Sequence, residues 1–378
     1  MAHSSLRIFQ LIEHLRIGGA ERMFTTLLPE LQNIAEIEIF AGVLYEGGEL
    51  EKYLHRHNIP LYKIRKKKFQ PHDTLTRLHR LLRELEIDIL HMHEFSAAFW
   101  GRIASVLSGV KARLITDHAV AGWHNPAKHK IINRTLLPLT DKIVALSGAA
   151  GESLMRVEGI PAQKIISIPN GIDLEPLERP AHRDALRQKY GIASGEVLIG
   201  MVGRLSREKG AEVLIKAVHE LRKLTSRPFR AIIVGDGDQA GSCKRIAREF
   251  DVADAVIFTG SVDHTEIAGL LYSLDIGVVP SHQENCSIAL IEQMACGLPV
   301  VATDAGGNAE LLDNGNCGII VSRNNPQALA QQIALLMCDA QLRISYGEKA
   351  KARSRRYFTV QAMAAAYHRT YRQLLSIP

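Results

Sequence analysis

SHQENCSIALIEQMACGLPVVAT, residues 281–303, decides how the rest of the chain is read. It follows the apolar run DIGVVP (275–280) and closes on a second one, PVVAT, with a helical pattern between them. Ser287 suits an N-cap, Ile288 to Cys296 suits a helix, and Gly297 with Pro299 ends it. Short apolar runs alternating with helices are the mark of a parallel sheet with crossover connections. Two acids interrupt that pattern: Glu284 falls on the loop before the helix, and Glu292 lies one turn inside it. A carboxylate on a mostly apolar segment is costly without a partner, so Glu292 calls for one: ribose hydroxyls would serve, and so would a structural Arg or a backbone N–H, with Glu284 simply solvated.

Outward from this segment the alternation runs almost end to end. Strands are expected near RIFQLI, EIEIFAGVL, PLYKI, DILHMH, RLITDH and KIVALS, then near EVLIGMVG, RAIIVG, AVIFTG, DIGVVP, PVVAT and GIIV. Helices lie between, as at Ala211 to Leu224, where Leu214, Ala217, Val218 and Leu221 share one face. The pattern breaks after IPNGID, where Asn170-Gly171 signals a turn and the following stretch is charged, Pro-rich and aperiodic. The reading is α/β, with two Rossmann-like domains facing each other across a cleft and a linker near residues 172–190. Residues 1–172 form the first domain and 173–358 the second. A last helix, in 359–378, follows the second sheet. Ligands of open α/β sheets bind where strands end and helices begin.

Composition narrows the class. A chain of 378 residues with 46% hydrophobic and 23% charged residues suits two soluble domains. No apolar run reaches the ~18 residues of a membrane-spanning helix, and no secretory signal is read at the N-terminus. The five cysteines are odd in number and lack C-x-x-C spacing, which points to a reducing cytoplasm without a disulfide framework or zinc site. The net charge of +6 is local: the ten Lys/Arg and one acid from Lys52 to Arg83 carry +9, leaving −3 elsewhere. A nucleic-acid binder would spread its basic residues over a binding face, so no nucleic acid is expected.

Four loops carry chemistry. Gly18 and Gly19, on the loop after the first strand, open a helix near Ala20, so their backbone N–H groups could approach a phosphate, although a tight turn would read the same way. Arg204 and Lys209 sit on the loop GRLSREKG, two cations beside a helix start, as a departing diphosphate requires; a solvated basic loop is the alternative. Ser281 to Ser287 is the loop already described. His91, His93 and His118 lie at strand ends without metal-ligand spacing, and histidines so placed are usually hydrogen-bonded structural residues. His118 is the best functional candidate of the three. GDGD (235–238) resembles a metal site but also suits a turn and helix cap, and no metal is expected there.

Taken in order, GGAER, DILHMH, TDHA, PNGID, GRLSREKG, IIVGDGD, FTGSV and E-x7-E followed by MACGLPVVATDAGG resemble the retaining glycosyltransferases of family 4, which have the GT-B fold. That resemblance implies a nucleotide-sugar donor held mainly by the second domain. Arg204 and Lys209 would hold the diphosphate, Glu284 the sugar hydroxyls and Glu292 the ribose. Asn285, Cys286 and Ser287 would line the donor site, with Gly18 and Gly19 closing over the phosphates. His118 would stand near the anomeric carbon, and the last helix would cross back to the first domain. The donor is a substrate, no cofactor or metal is implied, and a UDP-sugar is expected ahead of a GDP-sugar. The acceptor would be a glycan or a lipid-linked glycan.

Many relatives follow the first acid with Gly-Phe-Gly, where this chain has Asn285-Cys286-Ser287. Losing both glycines changes how closely the backbone can approach the sugar. The basic window suggests peripheral docking on the inner face of the cytoplasmic membrane. Lys66, Lys67 and Lys68 precede a helical pattern that sets Arg77 and Arg80 among leucines, as on an anionic membrane surface. The same leucines would also suit a helix facing its own sheet. Two alternatives to a transferase stay open: a sugar-nucleotide 2-epimerase, and a nucleotide-sugar-binding protein without catalysis.

Overall fold

A computed structural model describes residues 5–45, 47–64, 71–118, 126–178 and 183–376. The chain divides into two compact units, Met1–Gly171 with Val360–Pro378, and Ile172–Thr359.

The first unit is built on seven strands: β1 (Leu6–Ile12), β2 (Ile37–Val43), β3 (Leu61–Lys63), β4 (Ile89–His93), β5 (Ala112–Asp117), β6 (Lys142–Ala145) and β7 (Ile165–Ser167). They lie in the order β3-β2-β1-β4-β5-β6-β7, every neighbouring pair parallel. The second has β8 (Val197–Val202), β9 (Phe229–Val234), β10 (Val256–Gly260), β11 (Ile276–Val279), β12 (Val300–Thr303) and β13 (Ile319–Val321), in the order β10-β9-β8-β11-β12-β13. Both sheets are Rossmann-like and reverse direction once, between β1 and β4 and between β8 and β11. At such a switch point the loops after the two central strands splay apart and leave room for a ligand.

Covered faces explain why the strands read as continuous apolar runs rather than alternating ones. The helix Ala211–Leu224 buries Leu214, Ala217, Val218 and Leu221 against Ile199, Met201, Ile233 and Val278. The C-terminal helix Val360–Leu374 belongs to the first unit, where Val360, Met363, Ala364, Tyr367 and Tyr371 pack with Ile8, Ile12 and Phe24.

Three expectations need correcting. Strand β7 was missed: it has three residues, too few to show a period, and it exists by pairing with β6. The stretch read as an irregular linker holds two short helices, Glu175–Glu178 and Arg183–Lys189. The second is tied down by Arg187, which donates to the Ser273 carbonyl at 2.9 Å and pairs with Asp275 at 3.2 Å. The basic helix Pro71–Glu84 also keeps its apolar side for its own domain. Leu78 and Leu82 are fully buried with Phe9, Phe40 and Leu90, and Leu75, Leu81 and Leu85 pack around them. Arg80 is exposed, and Arg77 pairs with Asp73 at 2.9 Å. Lys66, Lys67 and Lys68 lie outside the described residues.

Candidate active site

In the second unit the loops after β8, β9, β11 and β12 are stitched into one surface. Leu205 N–H donates to the Asp236 carbonyl, and Gln239 N–H to the Leu205 carbonyl, each at 2.9 Å. His282 and Gln283 N–H both donate to the Glu208 carbonyl, at 2.8 and 3.2 Å. Thr303 Oγ1 donates to the Ser281 carbonyl at 2.6 Å. Glycine is required at the closest approaches. A Cβ on Gly210 (φ +64°) would stand 2.3 Å from the Pro280 carbonyl, and one on Gly306 (φ +51°) 1.7 Å from the Glu284 carbonyl.

These contacts bring Glu284 and Lys209 together across 75 residues of sequence. Lys209 Nζ lies 2.8 and 2.9 Å from the two carboxylate oxygens, and Ser281 Oγ donates to one of them at 2.8 Å. The Glu284 side chain is 6% exposed and that of Lys209 30%. Asn285, Cys286 and Ser287 are buried beside them, and Ser287 Oγ caps the helix Ile288–Ala295 by accepting from Leu290 N–H. Arg204 is exposed on the loop after β8. Glu292 is half-buried on the capped helix. Burial, with the Glu292 charge, pushes the Cys296 thiol up to about 12, so that cysteine is not a nucleophile at neutral pH.

GDGD is a turn, in which Asp236 Oδ1 accepts from Gly237 N–H at 2.8 Å. It caps nothing: the helix Ala240–Glu249 starts at Gln239 with no side-chain cap bond. Glycine at 237 is explained by the loops, since a Cβ there would meet the Leu205 carbonyl at 2.3 Å. Among the described residues no group of three or more His, Cys, Asp or Glu could hold a metal ion.

The first unit has its own polar residues at the carboxyl ends of its central strands. Gly18 is the N-cap residue of the helix Gly19–Gln32, in extended geometry at φ −160°. The Glu21 carboxylate folds back so closely that a Cβ on Gly18 would lie 2.2 Å from it. Glu21 is 6% exposed and pairs with His14 at 3.0 Å, so a phosphate reaching this helix start has a carboxylate to displace.

His118, just past β5, stacks on His93, with its Nε2 3.1 Å from His93 Nδ1. Burial holds His118 down at about 4 and His91 and His93 well below 6.5. These rings stay neutral in the folded chain while an unfolded histidine becomes charged below about pH 6.5. Stability is therefore full above that pH and falls as pH drops toward 4. For His118 alone the loss reaches about 2 kcal/mol at pH 5. Urea midpoints at pH 7.5 and 5 check this: His118→Asn should lose less on acidification than wild type, and equal losses would contradict it.

Sequence reasoning missed Glu94. It follows β4 with φ +68°, a left-handed conformation unusual for any residue but glycine or asparagine. Its Oε2 is buried without a hydrogen-bond partner among the described residues. Burial first, then the Glu21 and Glu13 carboxylates, raise this acid to about 8. A glutamate directly after a histidine-rich strand was the available signal, but nothing in its spacing told it from a solvated one.

Two parallel-sheet units, with charged and hydrogen-bonding groups on the loops at their switch points, have the fold of the GT-B glycosyltransferases. Family models match most of the chain: "Glycosyltransferase Family 4" over residues 17–176 and "Glycosyl transferases group 1" over 182–353. The D-inositol 3-phosphate glycosyltransferase 2 of Catenulispora acidiphila is 30% identical over 77% of this chain and 72% of its own length. The N-acetyl-alpha-D-glucosaminyl L-malate synthase of Bacillus anthracis is 23% identical over 95% of both chains. Among solved structures, Anabaena HepE in complex with UDP-glucose superposes with a TM-score of 0.84 at 23% identity, over 97% of this chain and all of the other. The chain belongs to the group 1 glycosyl transferases, in retaining family 4.

Proposed function

We propose that this transferase moves a sugar, with retention, from a UDP-activated donor to a hydroxyl of a glycan or lipid-linked acceptor in cell-envelope polysaccharide or glycolipid synthesis. The observation that carries the reading is the Lys209–Ser281–Glu284 cluster at the switch point of the second sheet. An arriving diphosphate would take Lys209 from Glu284, which frees the carboxylate to accept from sugar hydroxyls. Arg204 supplies a second cation for the charge that develops as the diphosphate leaves. Its departing oxygen takes the acceptor proton, so no separate base is required. Glu292 is assigned to the ribose, and Gly18 with Gly19 to the phosphates. UDP is favoured because HepE binds UDP and UDP-glucose. No cofactor or metal enters this scheme.

Nucleoside-diphosphate release from a panel of uridine- and guanosine-activated sugars, with chelator present, tests it. Slow release from one uridine-activated sugar, unchanged by chelator, is expected. Failure to bind any nucleotide would overturn the reading. Release without an acceptor, coupled to inversion at the sugar's second carbon, would mark the 2-epimerase instead.

An anionic membrane surface enters the proposal through charge alone, since the leucines of Pro71–Glu84 are committed to the core. A cytoplasmic location, peripheral on the inner membrane face, is the corresponding reading. No helix among the described residues is long and apolar enough to cross a membrane. Sedimentation with anionic vesicles at low salt should carry the protein down, and a protein left in the supernatant excludes docking.

A further inference from the structure

Beneath the C-terminal helix, the core face of three adjacent strands, which carries Ile8, Ile12, Ile89 and Leu114, also holds a row of polar side chains. Gln10 on β1, His91 and His93 on β4, and Thr116 on β5 are all 0% exposed, as are Tyr367 and Tyr371 above them. Register explains the row: Gln10 pairs with His91 and His93 with Thr116, while side chains two apart share a face. Six fully buried polar groups cost stability unless all are satisfied, so their hydrogen-bond directions are constrained as a set.

Those directions follow from one end. Gln10 Nε2 donates to the Tyr371 hydroxyl at 3.1 Å, which leaves Gln10 Oε1 as an acceptor. His93 Nε2, 2.7 Å from that oxygen, must therefore carry a proton. A neutral imidazole has only one, so His93 Nδ1 is the acceptor, and its neighbour at 3.1 Å, His118 Nε2, is the donor. His118 is neutral too, which leaves its Nδ1 bare. On the other branch, Tyr371 donates to His91 Nδ1 at 2.8 Å, and His91 Nε2–H to Thr116 Oγ1 at 2.7 Å. Thr116 then donates to the Tyr367 hydroxyl at 3.0 Å. Every step is satisfied with one proton per contact.

We propose that Gln10, His93 and Tyr371 are positioning residues that hold His118 in the Nε2–H tautomer and present its Nδ1 lone pair to a sugar hydroxyl. No partner for that Nδ1 stands among the described residues. A bare ring nitrogen accepts from an O–H and repels a phosphate oxygen, so His118 selects for a hydroxylated group rather than for the diphosphate. The hydroxyl rests on the glycosyl-transfer reading; the tautomer does not.

The test is a long-range ¹⁵N–¹H correlation spectrum of the histidine-labelled full chain, with the His118 signals assigned by their loss in His118→Asn. Wild type should show the Nε2–H pattern at His118. Gln10→Met and His93→Leu should mix the tautomers and lower kcat for donor turnover about tenfold or more, with the Kd for free UDP unchanged. His93→Asn, which puts an amide oxygen where Nδ1 stood, should restore the Nε2–H form and part of the rate. An Nδ1–H pattern in wild type overturns the proposal, because reversing the Gln10 amide reverses every proton in the row. So does a folded Gln10→Met or His93→Leu protein in which tautomer and kcat are both unchanged. Wild type that binds no nucleotide would defeat the glycosyl-transfer reading alone, since the spectrum still decides the tautomer.

Discussion

Replacing Lys209 by alanine is expected to lower kcat/KM by about 100-fold or more, the usual loss when a preorganised donor to developing charge is removed. The same variant should weaken nucleoside-diphosphate binding, because the cation that replaces diphosphate hydration is gone. It should also unfold more easily. Glu284 is 6% exposed and, among the described residues, would keep the Ser281 hydroxyl alone as a partner for its charge. Breaking fully buried pairs costs about 3–5 kcal/mol, and the partial exposure of Lys209 brings the expected cost down to about 1–2 kcal/mol. Stability and activity separate in the double variant Lys209→Met/Glu284→Leu, which removes both charges. It should recover most of the lost stability and none of the turnover. Retention of kcat/KM within about threefold of wild type in Lys209→Ala would show that the pair is structural, since a diphosphate-holding cation cannot be dispensable.

Glu94→Gln should stabilise the protein by about 3 kcal/mol at pH 7. Folding raises this carboxyl from 4.5 to about 8, so between those values the folded chain holds a proton that the unfolded chain has released. Its stability contribution is complete below pH 4.5 and is lost as pH rises through 8. Glutamine has the same shape and no charge to bury, so its advantage is absent at pH 4.5, grows through neutrality and levels off above pH 8. Denaturant titrations of both proteins at pH 4.5, 7 and 8.5 measure that curve. A difference independent of pH would mean that burial and the Glu13 and Glu21 carboxylates do not act on this group.

Much of the fold was legible because its elements are local. The helix Ala211–Leu224 was legible from the spacing of four apolar side chains on one face. Twelve strand regions were read from short apolar runs alternating with helical patterns, and β7 was lost because three residues carry no period. Site residues were legible as types on loops, since a cation at a helix start and an acid after a strand look the same whether solvated or paired. Glu94 shows the limit. Its neighbours in the charge balance are Glu13 and Glu21, far from it in sequence and brought near by the adjacency of β1 and β4. The basic helix errs the other way. Its leucines were legible as a face, and only packing showed that the face belongs to the core.

By itself the sequence determined the alternation of strands and helices, the loops where chemistry can sit, and the family to which the chain belongs. Tertiary structure decided which groups meet: Lys209 with Glu284 across 75 residues, and His118 with His93 across 25. It also decided that the C-terminal helix supplies Tyr371 to a strand 361 residues before it. The physical reason is one of range. Periodicity and capping act over a few neighbouring residues, whereas the partner of a buried charge or ring nitrogen is set by strand order and register, which only the folded sheets define.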